Sequence, residues 1–395
     1  MNNKTKNFRT LLLVLGFCFI LQMMVCVSAN AAYVQAWKSV GEGLPTTNLR
    51  ETIRFLMAGP IDSGTMYLGT NYNFWIKQAD KPWYALKNLP EGDKASLAID
   101  PTKPTNMFLA AKESSTVGKL PEDVRDVIYQ TTDRGQNWKI IFSAEDARAD
   151  RIKTIVINPK NTRELFVGIE HRIDPNDSAS LRYGRLFTSK DSGTTWTEIN
   201  VKWVEFKRLH SIEQIVINPV NPQVIYLRGS DYWLDTSIYK STDGGSTWKI
   251  LPSVSPWPTG GNIPTALTID PSNPDIVYLA MLNINVLDVY KSTDGGETWT
   301  EADKGLRQKG VSIPCLLVNP IAPQILYAIV NTSMERWQAH GIYVSYNGGS
   351  NWTDISGDLS GTNIFAHTLL WNQDKLYASV WGPKVFATSF EAHTS

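Results

Sequence analysis

The apolar positions of the chain fall into short alternating runs, and no stretch shows sustained helical periodicity. Five runs close on an Asp-Pro or Asn-Pro pair: Leu97-Ala98-Ile99-Asp100-Pro101, then those ending at Asn158-Pro159, Asn218-Pro219, Asp270-Pro271 and Asn319-Pro320. Each run predicts a strand and each pair a turn. A second short strand follows, marked by Phe108, Phe166, Tyr226, Tyr278 or Tyr327, and then a third, marked by Tyr129, Phe187, Tyr239, Tyr290 or Tyr343.

Behind every third strand stands the phrase Ser/Thr-x-Asp/Asn-x-Gly-x-x-Trp. Its first copy runs from Thr131 to Trp138, and its third positions are Asp133, Asp191, Asp243, Asp294 and Asn347, spaced by 58, 52, 51 and 53 residues. With the Trp opening a fourth strand, each repeat predicts four antiparallel strands, the blade of a β-propeller. The box carboxylates are expected to accept hydrogen bonds from turn amides while the glycines supply positive φ, which is a structural role and not a catalytic one. The string Asp243-Gly244-Gly245 lacks the further acidic ligands and closing Glu of a calcium loop, so no metal is expected there.

The flanks supply degenerate copies. Met66 to Gly69 and Lys81 to Leu86 belong to a first blade whose box has decayed to Ile76, Gln78 and Asp80. Three C-terminal strands, around Leu369, Tyr377 and Phe386, lack a fourth, while the segment from Ala36 to Val40 followed by Gly43-Leu44 matches the outer strand at Trp299 with Gly305-Leu306. The expected fold is a single all-β, seven-bladed β-propeller over residues 32–395, its ring closed when the N-terminal strand completes the last blade.

Residues 1–31 read as a signal peptide: Lys4, Lys6 and Arg9, then an apolar run over 11–27, then Ala29 and Ala31 in small-x-small spacing. A run of 17 residues is just long enough to span a bilayer, so an uncleaved anchor is the alternative; Cys26 follows Met24 and Val25, too large for lipoprotein processing. Cleavage implies a periplasmic or secreted protein with no stable membrane anchor. Basic and acidic side chains number 38 each, so removing three cations leaves a nearly neutral chain without a global pull toward nucleic acid. Only Cys315 survives cleavage, in a predicted core strand, so no intramolecular disulfide forms and stability rests on burial.

The five boxes, with the Asn218-Pro219 phrase, resemble the BNR or Asp-box superfamily, which includes sialidases, the sortilin luminal domain, family 74 xyloglucan-degrading glycosidases and the photosystem II stability and assembly factor. The resemblance spans nearly the whole mature chain and is specific for fold rather than activity. Sialidases open on Arg-Ile-Pro, whereas the nearest string here is Ile53-Arg54-Phe55-Leu56, without the Pro. Family 74 enzymes place a catalytic Asp in an early Thr-Asp-x-Gly-Gly phrase and use two propellers; the corresponding strand here reads Gly69-Thr70-Asn71-Tyr72-Asn73, with no carboxylate. The photosystem factor matches in export, size and blade number.

Loops joining second to third strands, and those joining blades, share the face opposite the boxes and form the expected binding surface. Of 14 Trp, those at 37, 83, 138, 196, 248, 299 and 352 are assigned to the core, while Trp203, Trp233, Trp257, Trp337 and Trp381 fall on the loop face, as a shared ligand surface or as packing anchors. The same loops carry Glu170, His171, Arg172 and Asp174, then Arg228, Asp231 and Asp235, then Arg336 and His340. Such a surface suits a carbohydrate or protein ligand. Paired loop carboxylates also offer a glycosidase alternative if they face one another, and surface ion pairs are the plainer reading. The leading expectation is an exported, non-catalytic, monomeric scaffold that needs no cofactor.

Overall fold

The computed structural model describes residues 33–34, 36–45, 51–60, 64–89, 92–113, 124–147, 149–171, 183–201, 209–230, 238–252, 263–282, 287–306, 312–331, 339–359, 368–380 and 382–391. Apart from a short 3-10 turn at Gly357–Leu359, every regular element among them is a strand.

The predicted repeat is seen directly in the strands Lys94–Ile99, Met107–Lys112, Asp126–Thr131 and Lys139–Ser143, which pair antiparallel in chain order. The same order recurs in the units that begin with Ile53–Ala58, Asp150–Asn158, Ser211–Ile217, Ile263–Ile269 and Ser312–Val318. A single pairing of Glu170 with Ser211 joins two of these units into one eight-stranded sheet. The last unit contains Thr368–Asn372, Lys375–Val380 and Lys384–Glu391, and the outermost of these pairs with both Tyr33–Val34 and Lys38–Ser39. First strands of successive units touch in chain order, and Thr368–Asn372 touches Ile53–Ala58.

The core lies between the sheets. Phe55, Tyr67 and Phe74 of the first unit pack against Leu97, Met107 and Leu109 of the second, and the same face-to-face burial repeats along the chain. Both faces of the second strand are buried in most units, as in the run from Leu326 to Val330. That accounts for continuous apolar runs where a one-sided sheet would alternate.

Two side-chain devices end the strands. At the Asp-Pro and Asn-Pro turns, the side-chain oxygen accepts the amides two and three residues on: Asp100 Oδ1 takes Thr102 N at 2.9 Å and Lys103 N at 3.1 Å, and Asn218 and Asn319 repeat the pattern. At the boxes, Asp243 Oδ1 accepts Thr247 N at 2.8 Å and the Ser241 hydroxyl at 2.8 Å, while Oδ2 accepts the Thr247 hydroxyl at 2.6 Å. Those bonds, first the one from the Thr247 hydroxyl, hold the Asp243 carboxyl down at about 2. Gly244 and Gly245 stand at φ of 70° and 91° to close the turn.

The core Trp assignment holds in full for Trp37, Trp83 and Trp352, whereas Trp138, Trp196, Trp248 and Trp299 are half-buried. The physical reason is visible at Trp138, Trp196 and Trp248, where the indole N-H reaches back to the box glycine carbonyl and holds the ring at the rim. Trp37 and Trp352 instead send their N-H across to a neighbouring segment, to Ile355 O and Ala302 O, each at 2.8 Å.

The match drawn between residues 37–44 and 299–306 extends to backbone detail. Trp83 N donates to Glu42 O at 2.8 Å, as Trp352 N donates to Lys304 O at 2.9 Å. Gly43, at φ 92°, and Gly305, at φ 96°, lie against the backbones of Trp83 and Trp352, where a Cβ would come within 2.2 and 2.6 Å of carbonyl oxygens.

Candidate functional site

A β-bulge recurs where the first strand begins. The pairing of first with second strand shifts between Ile53 and Phe55, between Lys94 and Ser96, between Ile152 and Thr154, and likewise in the next units. A bulge re-aims the side chain it inserts, and the inserted residues Arg54, Ala95 and Lys153 all line one cleft of about 500 Å³, together with Asp93, Lys112, Asp126, Arg151, Ile152 and Glu170. Asp126 opens the strand that Thr131 of the box closes. That six-residue strand spans roughly 17 Å from end to end, so the cleft lies at the end of the sheets away from the boxes, on the predicted loop face.

The cleft is charged, and its carboxylates are unequally compensated. Arg54 grips Asp93 through two bonds of 2.8 and 2.7 Å, and Lys153 Nζ lies 3.3 Å from Glu170 Oε2. Asp126 is buried; its Oδ2 accepts Ile152 N at 3.0 Å, but its Oδ1 has no hydrogen-bond partner. Burial pushes its carboxyl up to about 6, against the pull of Arg151 and Lys112.

Next to this cleft, on the outer side of the third unit, a second one of about 650 Å³ is lined by His171, Tyr183, Arg185, Glu198 and Asn200, among others. His171 is buried with Nδ1 against the buried carboxylate of Asp150. Arg185 bridges Glu145 at 2.9 Å, Asp150 at 3.4 Å and Glu198 at 2.6 Å, with its guanidinium 4.8 Å from the Phe187 ring centre. The Glu198 bond above all holds the arginine fully charged.

Of the residues singled out from sequence, His171 therefore borders a cleft. Arg228 is packed as a clamp: it bonds Gln214 Oε1 at 2.9 Å, Glu213 Oε2 at 3.1 Å and Pro264 O at 3.0 Å, tying its own unit to the next. His340 lies in the strand Ala339–Ser345. Trp203, Trp233, Trp257, Trp337, Trp381, Arg172, Asp231 and Arg336 lie outside the described residues. The boxes at Asp133, Asp191, Asp243, Asp294 and Asn347 occupy the opposite end of the sheets and hold their own turns.

Asp126, Lys112 and Arg151 were not singled out by sequence reasoning. Their signal is a departure from the repeat. Counting back five residues from the first box position gives Asp126, Gly184, Thr236, Leu287 and His340, so a carboxylate stands there in one unit alone.

Among known proteins, the Sortilin-Vps10 family (sortilin, neurotensin receptor 3) matches residues 184–308. The xyloglucanase Xgh74A of Acetivibrio thermocellus is 27% identical over 345 residues, covering 66% of this chain and 38% of that protein, so the match spans well under half of the relative's length. The solved GH74 xyloglucanase of Xanthomonas campestris superposes with a TM-score of 0.62 at 17% identity, over 90% of this chain and 53% of the other. YCF48 bound to a D1 peptide superposes with a TM-score of 0.62 at 15% identity, over 91% of this chain and 99% of the other. Box phrasing, paired sheets and these likenesses agree, and the chain is similar in sequence pattern and fold to the BNR/Asp-box superfamily of β-propellers.

Proposed function

We propose that the chain is exported by cleavage of residues 1–31 and works as a non-catalytic, seven-bladed propeller whose loop face binds a carbohydrate or protein ligand. Support for the closed ring comes from the pairing of residues 33–39 with the last strand and from Trp37, buried beside Tyr327 and Leu369 as a fourth-strand Trp would be. The observation that carries the scaffold reading is the pairing of carboxylates with cations at the loop face: Asp93 with Arg54, Glu170 with Lys153, Glu213 with Arg228, and three acids with Arg185. Carboxylates tied to fixed cations present a firm charged surface, but they are poorly placed to exchange protons with a leaving group. The near-complete overlap with YCF48, solved with a peptide, is the structural likeness that fits this reading, whereas the xyloglucanase matches cover part of larger proteins.

Asp126 favours a second reading. A buried carboxyl that keeps its proton to about pH 6 is suited to general-acid work in glycoside hydrolysis, the activity for which the xyloglucanase relatives are named. The two readings separate in a hydrolysis screen of the purified mature protein on xyloglucan and aryl-glycosides, run beside a binding assay. The scaffold reading expects retention on a ligand without release of reducing sugar. Turnover abolished by Asp126→Ala or Glu170→Gln would replace it with the glycosidase.

A further inference from the structure

We infer that the cleft between the first three units seats a carboxylate-bearing sugar of an acidic glycan, with Asp126 in its protonated form donating to the guest carboxylate and Lys112 and Arg151 flanking it. This rests on the binding reading above and narrows it to a site and a ligand class.

Three groups in the cleft have no ion-pair partner among the described residues. Asp126 Oδ1 is buried without a partner. Lys112 makes no ion pair among the described residues, and Arg151 Nη1 bonds only the neutral carbonyls of Ala147 at 2.9 Å and Asp150 at 2.7 Å. The other two cations, Arg54 and Lys153, are already committed to Asp93 and Glu170. A carboxylate guest answers all three at once: its oxygens accept from Lys112 and Arg151 and take the hydrogen bond of a neutral Asp126. A cationic guest would face four cations against three carboxylates.

The rest of the lining selects for a sugar. Among the described residues, Ala95 and Ile152 are its only apolar members, too little surface to anchor the side chains of a peptide. Glu170, Lys153 and Asp93 instead offer acceptors and donors side by side, which hydroxyl groups match because each both donates and accepts. Binding of this kind is linked to a proton. With the Asp126 carboxyl raised to about 6 by burial, the donor form prevails below that pH and is lost above it, where the ionised carboxylate repels the guest. The charged groups facing it are Arg54, Asp93, Lys112, Arg151, Lys153 and Glu170.

The test is calorimetric titration of the whole mature protein with trigalacturonic acid at about pH 5 and about pH 7.5 at constant ionic strength, with cellotriose and a triglutamate peptide alongside. Wild type is expected to bind trigalacturonate about 30-fold more weakly at the higher pH, because only about 3% of Asp126 then holds its proton. Asp126→Asn, a permanent donor, should bind equally at both pH values, and Lys112→Met should bind more weakly at both. The neutral trisaccharide should bind no better at low pH. Absence of trigalacturonate binding, or binding that ignores both pH and Lys112→Met, overturns the inference even if Asp126→Asn fails to fold. Tighter, Asp126-dependent binding of triglutamate overturns it in favour of a peptide. Retention of some other ligand without turnover leaves the scaffold reading standing while this one falls, whereas cleavage of any glycan removes the scaffold reading itself.

Discussion

Replacing Trp37 with Ala should be among the most damaging single changes in the chain, although the residue lies in an N-terminal segment only a few strand pairs long. Its ring is 7% exposed and sits among Tyr327, Ile329, Ile342, Leu369 and Leu376, on two different sheets. Truncating a buried Trp costs about 3 to 5 kcal/mol through lost transfer energy and the cavity left behind. Loss of the 2.8 Å bond from Trp37 Nε1 leaves the Ile355 carbonyl with one donor fewer and adds about 1 kcal/mol. The sum is a large share of the ~5 to 15 kcal/mol that holds a native protein together. Trp37→Phe keeps most of the packing and loses the hydrogen bond, so about 1 to 2 kcal/mol is expected. Trp248→Ala is the comparison, because Trp248 is half-buried and bonds the carbonyl of its own box glycine. Urea unfolding followed by circular dichroism gives all three midpoints, and an unchanged slope would show that stability alone has moved. A loss below about 1 kcal/mol for Trp37→Ala, or one no larger than that of Trp248→Ala, would refute the view that residues 33–44 are an integral part of the last sheet.

Further outcomes test other parts of the structure. Gly43→Ala should lower stability by about 1 to 3 kcal/mol, since it combines positive φ with a collision against the Trp83 backbone, while Gly41→Ala, with its nearest atom at 3.6 Å, should melt like wild type. Asp126→Asn should stabilise the free protein by up to about 3 kcal/mol near neutral pH. The sign follows from a folded carboxyl raised to about 6: the wild-type group favours folding below its unfolded value near ~4 and loses that advantage as pH rises through 6, so wild type and variant should converge in acid when melting is followed from about pH 3.5 to 8. The box carboxylates act oppositely, Asp133, Asp191 and Asp243 each held down at about 2, so their contribution is present above the ordinary carboxylate range and lost as pH falls toward 2. Asp243→Ala should accordingly lower the melting temperature at neutral pH without altering ligand binding, and the gap to wild type should narrow on acidification. Sequencing of the exported protein should find Ala32 or Tyr33 at the N-terminus; intact Met1 in a membrane fraction would reject cleavage.

Much of the fold was legible because a repeat multiplies weak local signals. One alternating run is ambiguous, but five runs in step with five boxes leave a single arrangement of four antiparallel strands per unit. The equivalence of Gly43 with Gly305 was readable for the same reason: both positions meet a Trp backbone at φ near 90°, and a position that only glycine can fill leaves its mark in the sequence. The structural role of the box aspartates was also local, set by atoms within four residues of each carboxylate. The cleft was decided elsewhere. Arg54, Lys112, Asp126 and Arg151 come from three units and meet only after the sheets pack, and the bulges that turn Arg54, Ala95 and Lys153 inward break the alternation by which a strand face is read. Nor does the sequence distinguish Arg228, spent on Glu213 and Pro264, from Lys112, which makes no ion pair among the described residues. Local order follows from backbone geometry and near neighbours, which the chain carries with it, whereas the balance of charge in a cleft depends on which partners arrive from far along the chain and how much water they displace.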